Sequence, residues 1–387
     1  MNSEHYYIFW WLFIAAWVGG IFFINGILNS IQQRILNDPE LKDHFLRQIS
    51  FLGRVRLLLW STTILLTAGF AYIWLSDNRA KQNELNAQRQ RLWPVYKKDK
   101  VWEAPDPLLA STDKEAAMID YGRQLIAQTQ DYYGANGIVR ARSINAMNCQ
   151  NCHLEAGTKP FGNNYFGVAS TYPQMRARSG GLETIPKRVN DCFERSLNGQ
   201  PIDTTSREMK AILAYMRWLG TAVPKGEKPK GSGIAEVPYL NRAADPAKGQ
   251  EVYVTKCASC HGADGQGLPI AGTPRDYPPL WGNGSYNQGA GLFRLSRLAG
   301  YVKANMPFGA SYQNPQLSDE EAWDVAAFIN SQPRPPHPFL KTDWPKIEKK
   351  PIDHPFGPYK DPYPETQHKY GPFPEIVAFY SSKEKKK

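Results

Sequence analysis

The sequence predicts a mainly α-helical chain with an N-terminal helical hairpin, two compact helical segments and an extended tail. Three observations predict this arrangement. Two long uncharged runs stand near the N-terminus, the motif C-x-x-C-H occurs once in each of two later segments, and prolines crowd residues 333–375. The chain has 387 residues, of which 42% are hydrophobic, and this is enough for two or three domains with some membrane character.

The two uncharged runs are each long enough to cross a membrane. Residues 6–33 and 57–76 contain no Asp, Glu, Lys or Arg, and about 20 apolar residues in a helix span the hydrocarbon core. A signal peptide is the alternative for the first run, but no basic residue precedes it and no small-residue cleavage site follows. We therefore expect a transmembrane hairpin over residues 1–76.

Basic residues between the two runs indicate the orientation of the hairpin. Five stand there, namely Arg34, Lys42, Arg47, Arg54 and Arg56. By the positive-inside rule the short connection is cytoplasmic and both ends lie outside. Arg79 and Lys81 oppose this assignment, but long translocated domains largely ignore such charges. We expect a bacterial inner-membrane protein whose termini and later domains face the periplasm.

The remainder of the chain divides by composition. We expect a linker at 77–110 that opens with a polar helix, a compact segment at 111–223, a linker at 224–243, a second compact segment at 244–334, and a tail at 335–387. Both compact segments run in the order helix, cysteine pair, long loop, helix, which is a weak internal repeat. In the second, Ser318 and Glu321 predict a capping box. The prolines of the tail predict extended chain wrapped on the domains.

Two pentapeptides carry the strongest chemical signal, CQNCH at 149–153 and CASCH at 257–261. The C-x-x-C-H form is typical of c-type haem attachment, in which two thiols join the vinyl groups of one haem and the histidine binds its iron. A zinc site would need a second ligand pair in each segment, and disulfides would leave both histidines unexplained. We expect two covalently bound haem c groups held by Cys149, Cys152, Cys257 and Cys260, with His153 and His261 as proximal iron ligands.

A sixth iron ligand can be sought in each segment. In the second, Met306 stands before Pro307, after a long loop and before the last helix, and it is the only methionine after His261. We expect it to bind the iron rather than to fill the core. In the first segment four candidates remain open, namely Met175 on a loop, Met209 and Met216 in the predicted last helix, and Cys192. Composition alone leaves Cys192 evenly divided between an iron ligand and a buried thiol.

Helical spacing adds to the argument for Cys192. Pro186 can occupy the first turn of a helix, and Gly199 followed by Pro201 ends it. Arg188, Cys192 and Ser196 are then spaced i, i+4 and i+8 and share one face. Burying an unpaired arginine is costly, so this stripe is not a core stripe. Either it is a solvated face with a chance thiol or, as we favour, it lines a pocket for an anion beside a sulfur atom.

The formal net charge of +10 does not form a nucleic-acid footprint. It is spread over loops, the region beside the hairpin and the terminal KEKKK, so we expect no nucleic-acid partner.

The stretch NAMNCQNCHLEAGTKPFGNNYFGVASTYPQMRARSG, followed by KRVNDCFERSLNG, closely resembles the di-haem thiosulfate dehydrogenases. The resemblance extends from VWEAPDPL at 101 to the tail sequence DHPFGPYKDPYPETQHKYGP. It implies that Cys192 is an axial ligand of the active-site haem and that Arg178, Arg188 and Ser196 bind substrate. It also implies that the second haem, with Met306, is the exit for electrons.

The chain departs from the family pattern in two places. Some members carry a lysine before the methionine that can exchange as ligand, whereas Asn305 stands here, so we expect plain His261/Met306 ligation. Many members are soluble periplasmic proteins, whereas this chain begins with a hairpin, which leaves the electron partner open between a cytochrome c and a membrane respiratory complex.

The implied reaction joins two thiosulfates into tetrathionate and releases two electrons. Fixed arginines suit it, because they bind oxyanions bidentately and keep their charge. Two roles for Cys192 stay open, simple iron ligation and a transient bond to the sulfane sulfur of substrate. Two competing hypotheses are a non-catalytic di-haem electron-transfer subunit and a subunit that has lost turnover. The sequence does not decide the physiological direction or the oligomeric state.

Overall fold

The computed structural model of the protein describes residues 3–92, 95–105, 113–338 and 340–384. It is mainly helical, as the sequence predicts, with one two-stranded antiparallel sheet among the described residues. The described residues up to Arg91 form one compact unit, and those from residue 92 onward form a second. The expected boundary at 110–111 lies outside the described residues.

The first unit consists of two long helices, α1 (Ser3–Asn37) and α2 (Pro39–Leu92). Each contains a stretch long and apolar enough to cross a membrane, Trp10–Asn37 and Gly53–Glu84. Within this unit the Trp17 indole donates a hydrogen bond of 3.3 Å to the Thr63 hydroxyl. The second helix does not end at residue 76 but continues through the polar residues 77–92, which the sequence predicts to be helical.

The first cytochrome-like segment is built on two helices that cross, α3 (Asp113–Ala127) and α8 (Arg207–Leu219). Between them lie α4 (Thr129–Tyr133), a 3₁₀ turn at Cys149–Asn151, α5 (Leu154–Gly157), α6 (Val168–Thr171), strands β1 (Gln174–Arg176) and β2 (Gly181–Glu183), and α7 (Ile185–Arg195). The crossing requires Gly122, because a Cβ atom there would lie 2.1 Å from the carbonyl oxygen of Ala211.

The second segment repeats this plan with α9 (Pro246–Lys256), α10 (Ala258–His261), α11 (Leu295–Asn305) and α12 (Asp319–Ser331). Here α9 crosses α12, and a Cβ atom on Gly249 would lie 1.9 Å from the carbonyl oxygen of Asp324. The predicted capping box is present, since the Ser318 hydroxyl accepts from the Glu321 amide and the Glu321 carboxylate accepts from the Ser318 amide. The internal repeat therefore reflects two copies of one helix-crossing arrangement.

The two segments are joined by direct hydrogen bonds. The Tyr301 hydroxyl on α11 donates to the carbonyl oxygen of Asn151 at 2.6 Å. The Asn145 side chain donates to the carbonyl oxygen of Ser285 at 2.8 Å. These contacts bring a loop of the second segment against the cysteine motif of the first.

The linker at 224–243 and the tail pack against both segments. In the linker, the carbonyl oxygens of Gly231 and Gly233 accept hydrogen bonds from Phe161 and Asn163. The prediction of a tail without regular structure is wrong over two short stretches, α13 (Glu365–Tyr370) and α14 (Pro374–Glu384). Both helices start at or just after a proline, where a missing amide hydrogen costs no intrahelical bond. Two 3₁₀ turns, Leu340–Thr342 and Ile347–Lys349, precede them.

Candidate functional site

The first C-x-x-C-H motif lies on a short turn held in place by its neighbours. Asn148 begins the 3₁₀ turn with a capping box, and the Cys149 amide donates to the Thr129 hydroxyl at 3.0 Å. Both Cys149 and Cys152 are free thiols, and burial raises the pKa of each to about 12. Two neutral thiols side by side on a turn are the form in which these residues can react with the vinyl groups of a haem.

His153 is oriented by the loop that follows it. Its Nδ1 atom is hydrogen-bonded to the carbonyl oxygen of Asn163, and burial lowers its pKa to about 4. A neutral imidazole that donates from Nδ1 leaves its Nε2 lone pair free for a metal, which is the usual state of a histidine ligand.

An apolar cavity opens beside this motif and contains about 690 Å³ of space not filled by atoms. Cys149, Cys152 and His153 line it, and so does Cys192. The rest of its wall is mainly apolar, with Ile126, Met147, Val189, Phe193, Leu197 and Ile212 among its residues. Free thiols, an oriented imidazole and an apolar wall fit a covalently attached haem.

Cys192 reaches this cavity from α7. The Thr184 hydroxyl caps that helix by accepting from the Lys187 amide, and Pro186 stands in its first turn. Arg188 and Ser196, four residues to either side of Cys192, line the same cavity. Cys192 is also the main cause of the raised pKa of Arg188, which places the sulfur beside the guanidinium.

The other candidate ligands in the first segment are distributed differently. Met175 is 68% exposed and does not line the cavity. Met209 is fully buried in the core, and Met216 lines the cavity from α8. Among the candidates, Cys192 and Met216 are therefore the two sulfur atoms that face the space beside His153.

A second cavity adjoins the first and contains about 910 Å³ of space not filled by atoms. We call it the cationic cavity, because none of its described lining residues is acidic and six of them are cations: Arg176, Arg178, Arg188, Arg294, Arg297 and Lys228. It shares Cys152, His153, Cys192 and Ser196 with the apolar cavity. The structure thus brings Arg178, Arg188, Cys192 and Ser196 together around one space.

Arg178 is held at this cavity by the second segment and the tail. Its guanidinium donates to the carbonyl oxygen of Gly289 at 3.4 Å and lies 5.7 Å from the centre of the Trp344 ring. The Trp344 amide in turn donates to the Arg178 carbonyl oxygen at 2.7 Å. Burial, followed by the nearby charge of Arg188, lowers the pKa of Arg178 to about 10. Two half-buried cations that repel each other form a site for an anion.

The sequence did not indicate Arg176, Lys228, Arg294 or Arg297 as site residues. Arg294 and Arg297 are more than 100 positions away from the first haem motif, and they reach the cavity only because the two segments pack together. No local sequence pattern predicts such a long-range contact. The one available signal is weak, a pair of arginines three positions apart in the helix that ends before Met306.

The second C-x-x-C-H motif stands where α9 ends and α10 begins. The His261 Nδ1 atom is hydrogen-bonded to the carbonyl oxygen of Pro278 at 3.0 Å, and burial lowers its pKa. Cys257 and Cys260 are free thiols. Met306 follows α11 directly and packs, half-buried, against the hydrophobic core. This motif has the same kind of oriented histidine as the first.

Asn305 is engaged elsewhere in the fold. It is 3% exposed, and its side-chain amide donates to the carbonyl oxygens of Tyr301 and Phe161 at 3.0 and 3.2 Å. The Asn305 side chain, just before Met306, therefore links α11 to the loop that follows His153.

Two cytochrome c segments with oriented histidines and free cysteine pairs define a di-haem c-type cytochrome, and the comparisons agree. Residues 246–333 match the Cytochrome c family, and residues 139–224 match the family described as SoxA/TsdA, cytochrome c domain. The chain carries two covalently bound haem c groups.

Relatives identify the family more closely. The chain is 39% identical over 226 residues to the thiosulfate dehydrogenase of Stutzerimonas stutzeri, covering 58% of this chain and 69% of that one. It is 43% identical over 195 residues to the thiosulfate dehydrogenase of Allochromatium vinosum, covering 49% of this chain and 71% of that one. The chain belongs to the thiosulfate dehydrogenase family.

A solved structure agrees with this assignment. The thiosulfate dehydrogenase (TsdBA) from Marichromatium purpuratum, in its as-isolated form, matches with a TM-score of 0.56 at 29% identity. The match covers 64% of this chain and 52% of that one, so the chain spans about half the length of that protein.

Proposed function

We propose that this protein oxidises two thiosulfates to one tetrathionate and passes the two electrons to a respiratory acceptor. In this reaction a sulfur–sulfur bond forms between the two sulfane sulfurs, and the charge changes from two dianions to one dianion plus two electrons. The observation that carries the proposal is the shared position of Cys192, Arg178 and Arg188 around the space beside His153. The family membership adds independent support.

Cys149 and Cys152 would hold the first haem, and His153 and Cys192 would bind its iron. The bound haem supplies one-electron oxidation. Cys192 is the favoured sixth ligand over Met175, because Met175 is 68% exposed and does not line the cavity. A thiolate there also has a counter-charge at hand, since Arg188 lies beside it.

Arg178, Arg188 and Ser196 would position the substrate. Among the described residues, no carboxylate lies within ion-pair distance of the Arg178 or Arg188 guanidinium. Their charges are therefore available to offset the approach of a dianion, and a charge-assisted hydrogen bond of this kind contributes roughly 1.5–3 kcal/mol. The Ser196 hydroxyl adds a neutral donor on the same wall.

Cys257, Cys260, His261 and Met306 would hold the second haem, which serves as the exit for electrons. Asn305 already donates to two carbonyl oxygens, so this position offers no exchangeable ligand. The acceptor would be a cytochrome c or a membrane respiratory complex. Tetrathionate reduction would use the same residues, and the two haem potentials decide the direction.

The hairpin would anchor the protein in the bacterial inner membrane with its haem domains in the periplasm. Support comes from the two apolar helices and from the basic residues between them. Membrane fractionation followed by protease treatment of intact spheroplasts tests the orientation. Cleavage of the haem domains from the outside is expected, and their protection would contradict it.

The activity is tested with the purified holoprotein, thiosulfate and ferricyanide. We expect both haems to be reduced by thiosulfate alone, and tetrathionate to accumulate in proportion to ferricyanide reduced. If neither haem is reduced and no tetrathionate forms, the protein is an electron carrier or a non-catalytic subunit. Running the assay with tetrathionate and a reduced viologen measures the reverse direction.

A further inference from the structure

The cationic cavity has two walls that come from different parts of the chain. Arg176, Arg178 and Arg188 belong to the first cytochrome segment, with Cys192 and Ser196 beside them. The other cations of the lining come from the second segment and the linker, namely Arg294, Arg297 and Lys228. The predicted catalytic residues account for one wall only, and the cations of the other wall have no assigned role.

The cations of the second wall are not equivalent. The Arg294 guanidinium is neutralised by Asp353, whose carboxylate accepts from Nε at 2.8 Å and from Nη2 at 2.5 Å. The side chain of Arg297 makes no hydrogen bond or ion pair with any described residue. Lys228 is exposed at the rim, where solvent screens its charge. Arg297 is therefore the half-buried cation of this wall that no described carboxylate pairs directly, and Asp353 and Glu236 act on it only through space.

Arg297 is also costly to keep without an anion. Burial, followed by the neighbouring charge of Arg294, lowers its pKa. A half-buried guanidinium that is repelled by its neighbour gains most from an oxyanion, because a planar fork binds such a group bidentately.

We propose that Arg297 binds the second thiosulfate, opposite the one held by Arg178 and Arg188. This inference rests on the proposed function. Joining two dianions requires both to lie in one cavity with their sulfane sulfurs facing each other, and one wall of cations offsets only one of them. The second cytochrome segment thus supplies a substrate contact to the active site of the first.

Binding is measured directly with radiolabelled thiosulfate by anaerobic equilibrium dialysis of the reduced holoprotein. Reduced haems cannot accept electrons, so the substrate is bound but not consumed. The wild-type protein should bind two thiosulfates per chain, and Arg297→Gln should bind one. Arg297→Lys should restore the second site in part, and the exposed Arg217→Gln, away from both cavities, should bind two.

Turnover gives the second readout. The thiosulfate concentration for half-maximal rate should rise about tenfold to a hundredfold in Arg297→Gln, because one charge-assisted contact is lost. The spectrum and reduction potential of the first haem should not change. Arg297 has no substrate role if the wild-type protein turns over thiosulfate but Arg297→Gln still binds two thiosulfates per chain. The same holds if the thiosulfate concentration for half-maximal rate in that variant also equals the wild-type value.

The competing source of an oxyanion is a carboxylate of the first haem itself. In that case Arg297→Gln would shift the potential of the first haem and its pH dependence while leaving thiosulfate binding unchanged. That result overturns the substrate subsite. Failure of the wild-type protein to oxidise thiosulfate would instead remove the proposed function, so the two failures are distinguishable.

Discussion

The two cytochrome segments have the same helix crossing and the same oriented histidine, but they treat their charges differently. Beside the second cysteine motif and Met306, charged side chains are paired with partners of opposite sign, as in Lys256–Glu321 at 2.6 Å and Lys303–Asp319 at 2.9 Å. Beside the first cysteine motif, Arg178 and Arg188 line a cavity that has no acidic residue among the described residues of its wall. The same helix crossing is thus combined with paired charges beside the second motif and, beside the first, with two arginines that no described carboxylate pairs directly.

Replacing each predicted sulfur ligand by alanine should have the largest effect and should separate the two segments most clearly. Cys192→Ala should abolish thiosulfate oxidation and change the absorption spectrum of one haem only. Met306→Ala is the matched variant, and it should change the spectrum of the other haem while thiosulfate still reduces the first. An unchanged spectrum in Cys192→Ala would assign the ligand to another residue, with Met216 the next candidate in the cavity wall.

The next largest effect should be the loss of stability when the carboxylate of a buried ion pair is removed. Arg195 is 8% exposed and pairs bidentately with Asp343 at 2.7 and 2.8 Å. Asp343→Asn leaves a buried arginine without a counter-ion and should lower the free energy of unfolding by about 3 kcal/mol. Asp319→Asn, which disrupts the more exposed Lys303 pair of the second segment, should cost under about 1 kcal/mol. Urea denaturation compares the two, and equal losses would contradict the difference in burial.

Removing a single arginine of the proposed substrate site should have a smaller effect, confined to the kinetics with thiosulfate. Arg188→Gln should lower kcat/KM for thiosulfate by roughly tenfold to a hundredfold, since one charge-assisted contact with the dianion is lost. The spectrum of the second haem should not change. Arg217→Gln serves as the control, and a comparable loss in that variant would show that overall charge, rather than position, governs the rate.

The smallest expected effect is the pH dependence of stability that His354, in the tail, contributes. Burial lowers the pKa of His354 from 6.5 to about 4. Between these values the unfolded chain binds a proton that the folded chain does not, so stability is full above pH 6.5 and falls as the pH falls. From pH 6.5 to pH 5.5 the wild-type protein should lose about 1.4 kcal/mol from this group at most. His354→Gln should reduce that loss in urea denaturation, and an identical pH slope would show that His354 is accessible to protons when folded.

Short-range patterns were sufficient for some features of the site and not for others. The C-x-x-C-H motifs and the helical spacing of Arg188, Cys192 and Ser196 are local, and the last three do line one cavity. Composition alone left Met175 and Cys192 both open, and the helical spacing and the family resemblance favoured Cys192, which lines the cavity whereas Met175 does not. The role of Cys192 as iron ligand stays a prediction.

Long-range placement explains what the sequence could not indicate. Arg294 and Arg297 enter the cationic cavity through the docking of one segment on the other, which depends on contacts such as Tyr301 to Asn151. The tail helices were missed for a different reason. Proline density argues against helices only where the prolines fall inside a turn, and here they stand at or before the first residues of α13 and α14.

The tail holds three arginines of the two haem segments in place. It supplies Trp344 to Arg178, Asp343 to Arg195 and Asp353 to Arg294. These three partners lie after both haem-attachment motifs in the sequence. A chain that terminates after residue 334 would retain every cysteine and histidine of the two motifs. It would lose the three partners that hold Arg178, Arg195 and Arg294, so the arrangement of the cationic cavity depends on residues outside both haem segments.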